Sequence, residues 1–131
     1  MLTRCSGTKS QHIPSNCSFL DEINDTSRMI CGYLEVPENH DKPDGKKITI
    51  AYVVFKSENT ESSEFPLIQF TGGPGGQALR QPEYILEEPI LKTRDIIRFD
   101  QRGIGKSSPL PDLTSKLYSL FPQDLTYEEE H

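Results

Sequence analysis

The stretch Phe99-Asp-Gln-Arg-Gly-Ile-Gly-Lys-Ser-Ser108 gathers a carboxylate, an amide, a guanidinium, an ammonium and two hydroxyls around two glycines. Three chemistries use such a set. Gly105-Lys106-Ser107 ends like a phosphate-binding loop, in which successive backbone N–H groups wrap a phosphate and a helix begins at the lysine. Here Asp100 stands where the first glycine of that loop belongs, and Pro109 and Pro111 fall where the helix's first turns would donate hydrogen bonds. Gly105-Lys-Ser-Ser-Pro109 also approaches Gly-x-Ser-x-Gly, whose glycines make room for a serine nucleophile on a strained turn, but its second glycine is proline. Asp112 or Asp124 and His131 follow in the chain order of a catalytic triad. A proline-bearing tail of about twenty residues does not supply the separate later strands that such residues need.

The third chemistry uses a second loop, Thr71-Gly-Gly-Pro-Gly-Gly-Gln77. Gly72, Gly73, Gly75 and Gly76 leave backbone N–H groups uncovered at the C-terminal end of a predicted strand, the edge where open α/β sheets place their sites. An oxyanion hole requires such donors, aimed at a developing carbonyl oxyanion. A lone GGPG is better read as a mobile surface turn. Two glycine-rich loops at equivalent ends of adjacent predicted strands favour a site.

The elements that would position these loops follow from residue type and period. Residues 1–27 are polar without sustained period and read as an extended lead-in. The β-branched and aromatic runs at 29–36 and 47–56 flank Pro43-Asp-Gly45, strong turn chemistry, and predict an antiparallel pair. Pro66-Leu-Ile-Gln-Phe70 predicts a short strand buried on both faces, and Arg94-Asp-Ile-Ile-Arg-Phe-Asp100 a second one. Between them Tyr84, Ile85, Leu86, Ile90 and Leu91 fall at roughly helical spacing, cut into short pieces by Pro82 and Pro89. Strand, glycine loop, helical segment, strand, glycine loop is the repeating unit of a parallel α/β sheet. Beyond Pro109 the sequence reads as loop with a weak helical patch at 113–121.

The 131 residues suit one domain, with 14 basic against 20 acidic side chains. The resulting net charge of −6 disfavours nonspecific attraction to nucleic acid or an anionic membrane face. No apolar run approaches the roughly eighteen residues of a bilayer span, and the opening decapeptide lacks the apolar core of a leader, as a matured exported chain would. Cys5, Cys17 and Cys31 have neither Cys-x-x-Cys spacing nor a histidine-rich partner, so no metal is expected, and no cofactor motif stands out. They allow one disulfide with a leftover thiol, or three thiols. Asn16-Cys-Ser18 and Asn24-Asp-Thr26 fit the glycan-acceptor pattern, which also arises often by chance.

Taken together, Cys31-Gly-Tyr-Leu-Glu-Val-Pro-Glu38, the Gly-Gly-Pro-Gly-Gly loop and Asp100-Gln-Arg-Gly-Ile-Gly-Lys-Ser107 resemble the N-terminal part of prolyl aminopeptidases and the related tripeptidyl-aminopeptidase-like α/β-hydrolases. The similarity runs from about Cys17 to Pro111. It implies an α/β fold of which 28–131 is the N-terminal portion, an incomplete sheet lacking the nucleophile, acid, histidine and cap regions. The implied activity is serine-dependent release of residues or short peptides from peptide N-termini, with a peptide as substrate and this stretch alone inactive. Gly73, with Gly72, is the implied oxyanion donor. Pro74, Gly75, Asp100, Gln101, Arg102, Gly103, Gly105 and Ser107 are implied to brace the active-site floor, while Thr71 replaces the family's usual histidine. The resemblance further implies an extracellular or periplasmic enzyme, in which Cys17 and Cys31 could pair. An incomplete sheet would expose apolar surface and an open edge, inviting a complementary chain or self-association. The alternative is a non-catalytic binding domain on the same fold.

Overall fold

A computed structural model describes residues 10–20, 23, 25–73, 75–80 and 82–108. Five strands form one mixed sheet: β1 (Gln11–Ser15), β2 (Met29–Pro37), β3 (Lys47–Phe55), β4 (Leu67–Gln69) and β5 (Ile96–Phe99). Their spatial order is β1-β2-β3-β5-β4. The β2–β3 hairpin pairs Met29 with Phe55 at one end and Pro37 with Lys47 at the other, within a residue of the sequence expectation. Its turn closes through Lys42 N–H to Asn39 C=O and Gly45 N–H to Lys42 C=O.

Parallel pairing of β4 with β5 matches the strand–loop–strand pattern, and β5 pairs antiparallel with β3. The crossover consists of two short 3₁₀ helices, Pro82–Glu87 and Pro89–Lys92. Each begins at a proline, which fixes φ and lacks the N–H that a longer α-helix would need. They lay Ile85 and Leu91 on one face of the sheet, against Met29, Cys31, Ala51, Val53, Phe55 and Ile96. Period-2 alternation places that set on a single face. Burying side chains of this size stabilises by about 1.5–3 kcal/mol each.

The opposite face is open among the described residues. Ile30 is 50 % exposed, Ile68 51 % and Phe70 66 %. This corrects the expectation that Leu67, Ile68 and their neighbours form a strand buried on both faces. Their composition suits the middle of a sheet, but β4 lies at its border with β5 as its one neighbour among the described residues. Among the described residues, apolar side chains are therefore exposed on this face and β4 has β5 as its one paired neighbour.

A second correction concerns the lead-in, which contains β1. Gln11 to Ser15 pair antiparallel with Glu35 to Cys31. A polar pentapeptide with proline at its fourth position has no strand period, yet proline is tolerated on a bordering strand. Close approach holds β1 down: a Cβ on Gly32 would lie 2.9 Å from Ile13 C=O and 2.7 Å from the Tyr52 hydroxyl. Just past β1, Cys17 is bonded to Cys31, with Cα atoms 5.1 Å apart. Cys5, Asn24, Pro74, Asp112, Asp124, His131 and the patch at 113–121 lie outside the described residues.

Because the bridge closes a loop over a sequence separation of 14, its removal should cost about 3 kcal/mol of folding stability. Replacing both Cys17 and Cys31 by serine is expected to lower the denaturant midpoint by a corresponding amount. It should also release β1 first, read as early loss of amide-exchange protection at residues 11–15.

Candidate functional site

Strand β5 delivers Asp100 to the base of both glycine loops. Its backbone N–H donates to Ala51 C=O at 3.1 Å, continuing the β3 ladder past the last strand residue. The side chain, 1 % exposed, turns inward. One carboxylate oxygen, Oδ1, accepts the Leu79 backbone N–H at 3.0 Å, and the other, Oδ2, accepts the Lys106 N–H at 2.9 Å. One acid therefore ties the chain just after the Gly72–Gly76 loop to the far end of its own loop. Charge-assisted bonds of this kind are stronger than neutral ones and offset the cost of burying a carboxylate.

The rest of the motif makes that clamp sterically feasible. Gly103 and Gly105 have φ of 76° and 53°, in the left-handed region that side chains disfavour. A Cβ on Gly105 would lie 2.0 Å from Asp100 Oδ2, inside the carboxylate itself. Ser107, fully buried, donates through Oγ to Asp100 C=O at 2.7 Å and accepts Ala51 N–H at 2.7 Å. Its backbone C=O accepts Gly103 N–H at 3.1 Å. A hydroxyl so engaged in the interior is not presented to a substrate, against a nucleophilic Ser107. The Asp100 carboxylate fills the loop where a phosphate would sit, against a phosphate cradle.

Gln101 and Arg102 point to neighbouring segments. Gln101 Nε2 donates to Thr71 C=O at 3.4 Å, a second tie between the two loops. Arg102 donates to Glu38 C=O at 2.8 Å and lies 2.8 Å from His40 Nε2, linking the loop to the β2–β3 hairpin turn. Around the first loop, Gly73 and Gly75 have φ of 81° and 80°. Among the described residues, and apart from each glycine's own chain neighbours, no atom lies within 4 Å of where a Cβ would stand on Gly72, Gly73 or Gly75. Gly76 differs, since its Cβ would meet Gly72 C=O at 2.6 Å. Among the described residues the loop is thus unobstructed at 72, 73 and 75, and packing fixes its return at 76.

Three contributors carry no sequence signal of their own. Leu79 acts through its backbone N–H, which any residue has. Ser108 Oγ accepts Thr49 N–H at 2.9 Å and so fastens the loop's end to β3. Arg98 alternates onto the same face as Asp100; burial, above all, pushes its guanidinium pKa down, against the charges of Asp100 and Glu88. At the other end of the strands, a polar cavity of about 120 Å³ is lined by residues that include Lys56, Arg94 and Asp95. Its charges are already matched, Lys56 with Asp95 and Arg94 with Glu64. Among the described residues, no group of three His, Cys, Asp or Glu side chains could hold a metal ion. No helix among them is long and apolar enough to cross a membrane.

No family model matches the chain. It is 37% identical over 86 residues to a tripeptidyl aminopeptidase of Streptomyces lividans, covering 61% of this chain and 16% of that protein. Serine protease Hip1 of Mycobacterium tuberculosis is 29% identical over 83 residues, 61% of this chain and 16% of that protein. This chain is homologous to serine hydrolases of the α/β-hydrolase type. Carboxylesterase B of Mycobacterium tuberculosis extends the set, at 28% identity over 95 residues, 70% of this chain and 18% of that protein. The chain spans about one sixth of the length of the curated relatives it matches.

Gly105→Ala should remove most of the folding stability of this segment, by about 2–4 kcal/mol, since both φ and the Asp100 contact resist a Cβ. Asp100→Asn keeps the shape but turns one acceptor into a donor facing an N–H, for an expected loss of about 1–3 kcal/mol. Chemical denaturation checks both. Faster amide exchange at Leu79 and Lys106 in Asp100→Asn locates the loss.

Proposed function

We propose that residues 28–131 form the N-terminal part of an exported serine hydrolase that releases residues or short peptides from peptide N-termini. The carrying observation is the acceptance of the Leu79 N–H by the buried Asp100 carboxylate, which joins the two glycine loops into one rigid base. An oxyanion hole needs donors fixed before charge develops. The backbone N–H of Gly73, with that of Gly72, is assigned to receive the oxyanion, where glycine leaves space for a substrate carbonyl. Gly75 and Pro74 are assigned a supporting role in the same motif. Asp100, Gln101, Arg102, Gly103, Gly105 and Ser107 act as positioning residues beneath it.

In this reading a serine hydroxyl contributed by a later part of the protein attacks the substrate carbonyl, and a histidine takes the hydroxyl proton. The carbonyl oxygen becomes the oxyanion held by the loop. Collapse expels the leaving amine, which receives the proton from the histidine, and water then releases the acyl group. None of the described histidines suits that role. His12 lies on bordering strand β1, and His40 is engaged with Arg102. Aminopeptidase activity, rather than esterase activity, follows the tripeptidyl aminopeptidase match, which is 37% identical. The substrate class is therefore peptides with a free amino terminus.

The 131-residue chain by itself is expected to take up no fluorophosphonate label, and the longer protein to be labelled at a serine beyond residue 131. Labelling of Ser107 in either protein would falsify the assignment. In the longer protein, Asp100→Asn should lower kcat at least about tenfold with little change in KM, because in this reading the loop acts on the transition state rather than on ground-state binding.

A further inference from the structure

We propose that Asn16 carries an N-linked glycan, attached where the bordering strand β1 ends. The triplet Asn16-Cys17-Ser18 supplies the acceptor amide and the hydroxyl two residues on, with a central residue other than proline. Three structural features suit it to modification. The Asn16 and Ser18 side chains are both exposed, whereas the intervening Cys17 is buried and held in its bridge to Cys31. Cys17, at φ 65°, turns the chain so that these neighbours face outward together. Asn16 Oδ1 accepts the Ser18 backbone N–H at 3.2 Å, a turn that takes up the oxygen and leaves Nδ2 outside that bond.

The transfer balances with an oligosaccharide linked to a lipid diphosphate as donor. A bond forms between Asn16 Nδ2 and the anomeric carbon, and the bond from that carbon to the diphosphate oxygen breaks. The amide proton goes to a base of the transferase. The product would also serve the fold. Strand β1 has β2 as its one neighbour among the described residues. A bulky hydrated group at its end hinders edge-to-edge pairing, a hazard that other sheets meet with charge or proline.

This inference rests on the exported location proposed above, and the test separates the two. The longer protein is secreted from a eukaryotic host behind a cleavable leader, and its peptides are mapped by mass with and without amidase release of glycans. The expected result is a glycan on the Asn16 peptide, aspartate at position 16 after release, and a closed Cys17–Cys31 bridge. Ser18→Ala, which keeps the backbone N–H that Asn16 accepts, should abolish the modification while leaving the bridge intact. A closed bridge with bare Asn16, or equal modification of the Ser18→Ala variant, overturns the inference. A glycan at Asn16 with open thiols at Cys17 and Cys31 upholds the inference and counts instead against the Cys17–Cys31 bridge, whereas bare Asn16 with open thiols overturns the inference and the exported location together.

Discussion

A buried carboxylate with two fixed backbone donors underlies the geometry of this chain. Removing a carboxylate from water costs several kcal/mol unless its oxygens are satisfied, and Asp100 is satisfied by the N–H groups of Leu79 and Lys106. Those donors come from two different loops, so the electrostatic requirement of one side chain becomes a distance constraint between them. The spacing of the motif follows. Gly105 must lack a Cβ because the carboxylate lies where it would be, and Ser107 must be small and polar to bridge Asp100 C=O and Ala51 N–H. Gln101 and Arg102 carry the constraint outward to Thr71 and the hairpin turn.

The sheet supports this arrangement from one side. Its covered face is sealed by the 3₁₀ crossover and by the bridged segment around Cys17, while Ile30, Ile68 and Phe70 remain exposed on the other. The two borders differ in chemistry. Strand β1 is polar, contains Pro14 and lies next to the bridge, whereas β4 presents Leu67 and Ile68. Apolar residues at the β4 border suit further strands and a covering layer, in keeping with a chain that spans about one sixth of the length of its relatives. In the proposed enzyme, that border is where the sheet continues.

Much of this was legible before the structure. The hairpin at 29–37 and 47–55 followed from β-branched runs around Pro43-Asp-Gly45, and the parallel β4–β5 pair from a glycine loop and proline-cut crossover between two apolar runs. Strand β1 was illegible because its five residues are held by backbone pairing, by the close approach at Gly32 and by the bridge beyond its end, none of which leaves a period-2 signature. The burial of Leu67 and Ile68 was misjudged because composition reports the environment a strand suits, and neighbours decide the one it has. At the site, Asp100, Gly105 and Ser107 were visible as a motif, but the resemblance rather than residue type gave them a supporting role. Leu79 could not be found from sequence, since its contribution is a main-chain N–H.

The central claim is that the Asp100 clamp holds the Gly72–Gly76 loop as the oxyanion-binding element of a serine hydrolase. A crystal structure of the longer protein with a phosphonate bound to its nucleophile tests this most directly. The account predicts the phosphonyl oxygen about 3 Å from the Gly73 backbone N–H, with Asp100 still accepting the Leu79 N–H. A phosphonyl oxygen held by other donors, with the glycine loop turned away, would contradict it.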